Sequence, residues 1–331
     1  MAPSSSRQDG RWRFSVAVLA PVAICLIATA AASLGFVLWS AHEQDQRALE
    51  RQQALARHVI ELQLDRIPHD QQSVTIWDDA VIHAKLQFDP QWVGTNLGVW
   101  MHTFFGHDVA IILNDRNEPI YMSSGDTTVG IDAATRLLPD LQSSIADLRR
   151  KVAGGGIAAY QAGTSASPPY VSELAIVGGI PSLISVAPII SDSGTIAQTS
   201  GTEYLHVSIV HLDAEYARRL SAEYFIPDVQ FTQLDSSAPN RAMLPLSNSA
   251  GRFVTFFDWE RETPGQSLVF QTVPAMLAMF GTAGLVAVFL LYQLWKKSRD
   301  LDARRADSEH HARHDVLTGL ANRVSFETAV S

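Results

Sequence analysis

Two uncharged apolar runs dominate what this chain can fold into. Phe14 to Trp39 covers 26 residues without a charged side chain, and Leu268 to Trp295 covers 28. As helices they would reach about 39 and 42 Å at 1.5 Å per residue. The hydrocarbon core of a bilayer needs only about 30 Å. Both are therefore read as transmembrane helices, spanning 14–39 and 268–295. A cleaved signal peptide is the rival for the first, since Arg11-Trp12-Arg13 resembles its basic start. The run is much longer than a signal core of ~7–15 residues, so an uncleaved anchor is the expectation. Pro274 lies near one end of the second run, where a helix tolerates a break. Trp39, Tyr292 and Trp295 close the runs as interfacial aromatics do.

Charge sets the orientation. Arg7, Arg11 and Arg13 precede the first run, and Lys296, Lys297, Arg299, Arg304 and Arg305 follow the second. The positive-inside rule makes both tails, 1–13 and 296–331, cytoplasmic. The segment between, 41–266, holds 15 Lys/Arg against 27 Asp/Glu. It lies outside, and it is too long to be a structureless loop. Its acidity excludes nucleic acid as a partner, which needs a basic footprint. With 47% hydrophobic and 18% charged residues, the chain suits neither a plain soluble enzyme nor a multi-span transporter. Cys25, the single cysteine, lies within the first run; no intrachain disulfide can form, and the residue is read as packing.

Within 41–266, apolar residues recur at helical spacing through Leu49, Leu55, Val59, Leu62 and Leu64 or Ile67. This predicts a stalk helix ended by Pro68. Ser73 could cap a second helix, with Asp78 and Asp79 at a positive helix terminus, and two short helices are expected on either side of Pro90. Val109–Leu113 and Pro119–Met122 read as strands around an Asn114–Asn117 turn, in which Asp115 is a turn residue. A helix is expected over Ala133–Val152 and a flexible loop over Gly154–Pro169. Strands follow at Ser182–Val186 and Leu205–Val210. A helix at Ala214–Tyr224 precedes strands at Val229–Leu234 and Arg252–Trp259. The class is α+β, with an antiparallel sheet and helices packed on it.

Trp77, Asp78 and Asp79 carry two readings. An aromatic wall beside two carboxylates could bind a cation or an amine; helix capping with a packed tryptophan is the plainer account. His69, His83, His102 and His107 show no metal-ligand spacing, nor do His310, His311 and His314, so no metal site is expected.

Trp77-Asp78-Asp79-Ala80, the Asn114-Asp115 turn, and Trp259 with Pro264-Gly265 resemble the fourth class of CHASE-type extracytoplasmic sensors, over roughly 41–266. The resemblance implies a PAS-like or Cache-like fold, with a long N-terminal helix and a central antiparallel sheet that holds a small ligand. Much of 125–200 matches no recognisable part of it.

Lys296 to Arg313 is highly charged, with Leu294, Leu301 and Ser308 seven apart. This is a weak coiled-coil signal, read as a signalling helix over 296–314. Asp315, Leu317, Thr318, Gly319, Leu320, Asn322 and Arg323 then fit the pattern D-x-L-T-G-L-x-N-R. Gly319 permits a sharp turn while Leu317 and Leu320 anchor it. The stretch resembles the opening of a GGDEF (diguanylate cyclase) domain. That family joins GTP molecules into cyclic di-GMP between paired domains, using Mg2+, which implies a homodimer. Only 17 residues, 315–331, belong to this module, and no Gly-Gly-Asp-Glu-Phe sequence occurs. No catalytic residue and no cofactor is therefore expected in this chain; Mg2+ and GTP are implied only for the absent remainder. The expectation is a two-pass receptor of a bacterial inner membrane. It would detect a periplasmic small molecule and control cyclic di-GMP synthesis. The alternatives are a fragment of an active cyclase, with or without a phosphodiesterase domain, and an inert membrane-anchored binding protein.

Overall fold

A computed structural model describes residues 6–235 and 238–313. The chain divides into two units, one formed by 1–46 with 263–331 and the other by 47–262. The opening motif at Asp315–Arg323 lies outside the described residues.

In the first unit, helix α1 (Ser6–Thr75) and helix α8 (Pro264–Arg313) each contain a stretch long and apolar enough to cross a membrane, with none of it buried in the protein. Pro274 lies inside α8 without ending it. The helix also runs on through 296–313, where the charged signalling segment was expected. The start of α8 is held against α1. The Gly265 amide donates to the Asp45 carboxylate at 2.7 Å, placing a negative charge at a helix N-terminus. A Cβ on Gly265 would collide with the backbone of Ala41, so only glycine permits this approach.

The second unit is built on a six-stranded antiparallel sheet. Its strands are β1 (Val109–Leu113), β2 (Pro119–Ser124), β3 (Thr127–Thr128), β4 (Val171–Val177), β5 (Ile180–Pro188) and β6 (Leu205–His211), in the order β3-β2-β1-β6-β5-β4. Ile111 pairs with Met122 on one side and Val207 on the other, and Ile184 pairs with Ile209. Strand alternation sends Val109, Ile111, Leu113, Val207 and Ile209 to one face. There they meet Leu141, Ile145, Leu148 and Val152 of helix α5 (Ile131–Ala153), whose 4-3-4 spacing makes one apolar stripe. Arg149 of α5 ties down two loops, donating to Asn117 Oδ1 and to the carbonyls of Asn114 and Glu203 at 2.8–3.0 Å.

The opposite face of the sheet carries the end of α1 and a run of short helices: α2 (Asp78–Val81), a π-helical segment (Ile82–Leu86), α3 (Pro90–Val93), a second π-helical segment (Gly94–Val99) and α4 (Trp100–Phe105). Asp89 caps α3 through the amides of Gln91 and Trp92, with Pro90 at the first helical position. Val74, Val93, Leu97 and Met101 pack there on Ile112, Tyr121 and Ile189. A Cβ on Gly98 would strike Ser123 Oγ and Tyr121 Oη, so glycine lets this segment lie close on β2.

Strands β7 (Gln230–Thr232), β8 (Arg241–Ser247) and β9 (Phe253–Glu260) form a separate sheet ordered β7-β9-β8. Its fully buried Phe257 and Trp259 share a core with Val59, Ile60 and Ile67 of α1 and with Leu220 of helix α7 (Ala214–Tyr224). Burial of each large apolar side chain contributes roughly 2 kcal/mol.

The structure departs from the sequence expectations most plainly around Pro68, at Ser73 and after Gly154, and it adds strands β3, β4 and β8 that were not expected. Pro68 does not end the stalk helix, because α1 continues to Thr75. A proline leaves the carbonyl four residues earlier without its helical donor; here Ser172 Oγ donates to the Leu64 carbonyl at 2.6 Å and replaces it. Ser73, expected as a cap, therefore lies inside α1 and donates to the Asp70 carbonyl. The stretch expected as loop from Gly154 contains a short helix, α6 (Gly156–Gln161).

Candidate functional site

The polar chemistry of the second unit collects where α1 ends on the sheet. Asp70 and Gln71 are consecutive residues on α1 and both are buried. Gln71 Nε2 donates to the carbonyls of Ser185 and His206 at 3.2 and 3.1 Å, and lies 2.8 Å from His206 Nδ1. His206 Nε2 lies 3.0 Å from the carbonyl of Leu97. A carbonyl can only accept, so the ring proton is on Nε2 and Nδ1 receives the Gln71 amide. Burial pushes the His206 pKa down to about 4, and the imidazole is neutral. Gln71 Oε1 and Ser185 Oγ are buried without a partner among the described residues, which makes this a costly piece of interior.

Beside it, His107 bonds Ser208 through Nδ1, and its Nε2 lies 3.5 Å from the Asp70 carboxylate. The order Ser–His–Asp is that of a nucleophile, its base and the base's orienting group. Burial decides against that chemistry. Ser208 has 0% exposure and His107 3%, so no substrate carbonyl can reach the hydroxyl. The set instead joins α1 to the residues that flank β1 and to β6.

One turn further, the chain leaves α1 and adds to the sheet. Ile76 bridges Ile190 in parallel, with Trp77 N to Ile190 O at 3.0 Å and Ile190 N to Thr75 O at 2.8 Å. Asp78 accepts the hydroxyls of Ser191 and Ser193, and its amide donates to Asp192 Oδ1 at 3.1 Å. The Ser191 hydroxyl, then that of Ser193, holds the Asp78 carboxyl below its ordinary range. Asp78 and Asp79 form the first turn of α2. Trp77 packs on Trp92 at 4.9 Å between ring centroids, and His83 stacks on the same ring at 4.5 Å and 22°.

Of the three residues singled out from sequence, Trp77 is thus half-buried in an aromatic cluster, Asp78 anchors the β5–β6 loop, and only Asp79 is exposed. Lys85, which the sequence did not single out, holds the far end of that loop, donating to Thr202 O and Oγ1 at 2.6 and 2.8 Å beneath the Tyr204 ring. Asp115 lies in the β1–β2 turn, shaped by Asn114 Oδ1 accepting the amides of Arg116 and Glu118. Among the described residues no three His, Cys, Asp or Glu side chains converge as a metal site. The residues missed from sequence are Asp70, Gln71, Ser185, His206 and Ser208, and His107 was considered only as a metal ligand and set aside. Their separation along the chain left no local signal.

A long helix docked on an antiparallel sheet, with short helices covering the same face, forms a domain that lies along the chain between two candidate membrane spans. The CHASE4 domain profile matches residues 59–232, and the chain belongs to the CHASE4 family. Among solved structures, the periplasmic domain of LuxQ from Vibrio cholerae is similar at 11% identity, covering 70% of this chain and 97% of that one, with a TM-score of 0.34. No curated protein matches the sequence.

Proposed function

We propose that this chain is a two-pass sensory receptor of a bacterial inner membrane, whose CHASE4 domain detects a small molecule in the periplasm. The observation that carries this reading is the CHASE4 match over 59–232 between two helices apolar enough to span a bilayer. Both termini would be cytoplasmic, from the arginines before the first span and the lysines and arginines after the second. The output would be a GGDEF domain opening at Asp315, Leu317, Thr318, Gly319, Leu320, Asn322 and Arg323, and its product cyclic di-GMP. GTP and Mg2+ would belong to that domain, and its paired chemistry would require a homodimer. Trp77, Asp78 and Asp79 are the proposed point of response: a change in the β5–β6 loop held by Asp78 is felt at once by the end of α1. A ligand acts here only through different affinity for two packings of these elements.

Reporter fusions test the topology. Fusions within 41–266 should be active only as periplasmic enzymes, and fusions after Arg299 only as cytoplasmic ones; the reverse pattern refutes the reading. The reading frame beyond codon 331 tests the output. A Gly-Gly-Asp/Glu-Glu-Phe sequence in frame supports cyclase control, and a stop codon removes it.

A further inference from the structure

A groove of about 650 Å3 lies at the β4 edge of the six-stranded sheet, between α5, strand β4 and the β8–β9 turn. Its lining is mixed, with somewhat more polar than apolar surface. Ile176 and Phe253 contribute apolar surface to it and are 42% and 41% exposed. Three charged side chains line the same groove: Asp140, Glu173 and Arg252. Glu173 is fixed in place, its carboxylate accepting the hydroxyls of Ser144 from α5 and Ser249 from the β8–β9 turn. One oxygen of Asp140 accepts the Gly178 amide at 2.9 Å, which leaves the other without a partner among the described residues. The Arg252 guanidinium has neither a hydrogen bond nor an ion pair among the described residues, although its own backbone is pinned by Asn248. The volume falls within the roughly 300–1,000 Å3 of small-molecule sites.

We propose that this groove binds a small zwitterion of the amino-acid type. The free guanidinium of Arg252 receives the carboxylate, for which its fork of donors is suited. The carboxylates of Asp140 and Glu173 receive the ammonium, and Ile176 and Phe253 receive an apolar side chain. Two anions and one cation beside Ile176 and Phe253 discriminate against a simple fatty acid, which leaves both carboxylates unanswered. They discriminate equally against a simple amine, which leaves Arg252 unanswered. Because α5, β4 and the β8–β9 turn all contribute, an occupant would bridge the six-stranded sheet to the three-stranded one. This deepens the sensory reading and rests on it only for the consequence of binding.

The test uses the full chain in nanodiscs, titrated calorimetrically with the standard L-amino acids one at a time, and with isocaproate and isoamylamine as the deaminated and decarboxylated forms of leucine. Saturable binding of at least one apolar amino acid with Kd below about 1 mM is expected. Both truncated analogues should bind at least ~10-fold more weakly than leucine, and Arg252→Gln or Asp140→Asn should weaken the amino acid by a similar factor without moving the unliganded unfolding midpoint. No saturable binding by any amino acid overturns the proposal, as does binding that both variants leave unchanged. Cysteine cross-linking along α8, with and without the bound amino acid, separates the two readings. Binding with unchanged cross-links removes the sensory consequence and leaves the site. Absence of binding removes the site and leaves the sensory reading to Trp77 and Asp78.

Discussion

The Nε2 amide of Gln71 lies 2.8 Å from Nδ1 of His206, so one side chain at the end of α1 reads the tautomer of a histidine in the middle of the sheet. The same amide serves the carbonyls of Ser185 and His206. Gln71→Leu would keep the volume and remove every donor, leaving His206 Nδ1 unanswered and the Ser185 and His206 carbonyls with only their sheet partners. The expected loss is about 2 kcal/mol, since an orphaned buried acceptor costs roughly 1–3. Urea unfolding of the purified chain checks this, and a loss within experimental error would show that the cluster does not hold α1.

Acid should destabilise the second unit through His206. Its pKa lies at about 4 in the folded protein, against an ordinary value of 6.5. The unfolded chain therefore binds the proton first as pH falls. The stability tied to the neutral ring is complete above pH 6.5 and is lost between there and pH 4, reaching about 3 kcal/mol. His206→Phe cannot titrate. It should be less stable at pH 7 but show a flatter profile from pH 6.5 to 4, because carboxylates elsewhere contribute equally to both proteins. Parallel profiles would mean that His206 is not the group responsible.

Asp78→Ala would release the hydroxyls of Ser191 and Ser193 together with the turn they define. Amide hydrogen exchange over 189–196 is expected to rise by about tenfold or more, while the α5 face of the sheet keeps its protection. Unchanged exchange at Ser191–Thr195 would show that the loop is held by other contacts.

Ser172 and Pro68 should be energetically coupled through a carbonyl that belongs to neither. Ser172→Ala leaves Leu64 O without the donor at 2.6 Å, at an expected cost of about 1 kcal/mol. In a Pro68→Ala background the helix supplies its own amide to that carbonyl, and the serine should matter much less. A double-mutant cycle measures the difference, and additive losses would contradict the account.

Local pattern made much of the fold legible. The apolar run of β1, the 4-3-4 stripe of α5 and the helix at Ala214–Tyr224 are each written in consecutive residues. β4 and β8 escaped notice for physical reasons. Glu173 interrupts the apolar character of β4, and Pro245 within β8 argues against a strand. Pro68 misled because its compensating donor, Ser172, lies on a strand far along the chain. The site divided in the same way. Trp77 and the acidic start of α2 could be read from a short cluster. The Asp70–His107–Ser208 set could not, because those side chains meet only once the sheet has formed.

The adjacency of β1 and β6 also constrains how the domain is made. Ile111 must find both Met122, close behind it, and Val207, which emerges only after α5, β4 and β5. A chain threading outward from its N-terminus therefore exposes an unsatisfied β1 edge throughout that interval. Such long-range pairing is slow, and an open edge invites association with other chains. Nascent chains arrested before Leu205 should accordingly depend on a holdase, whereas those arrested after His211 should not.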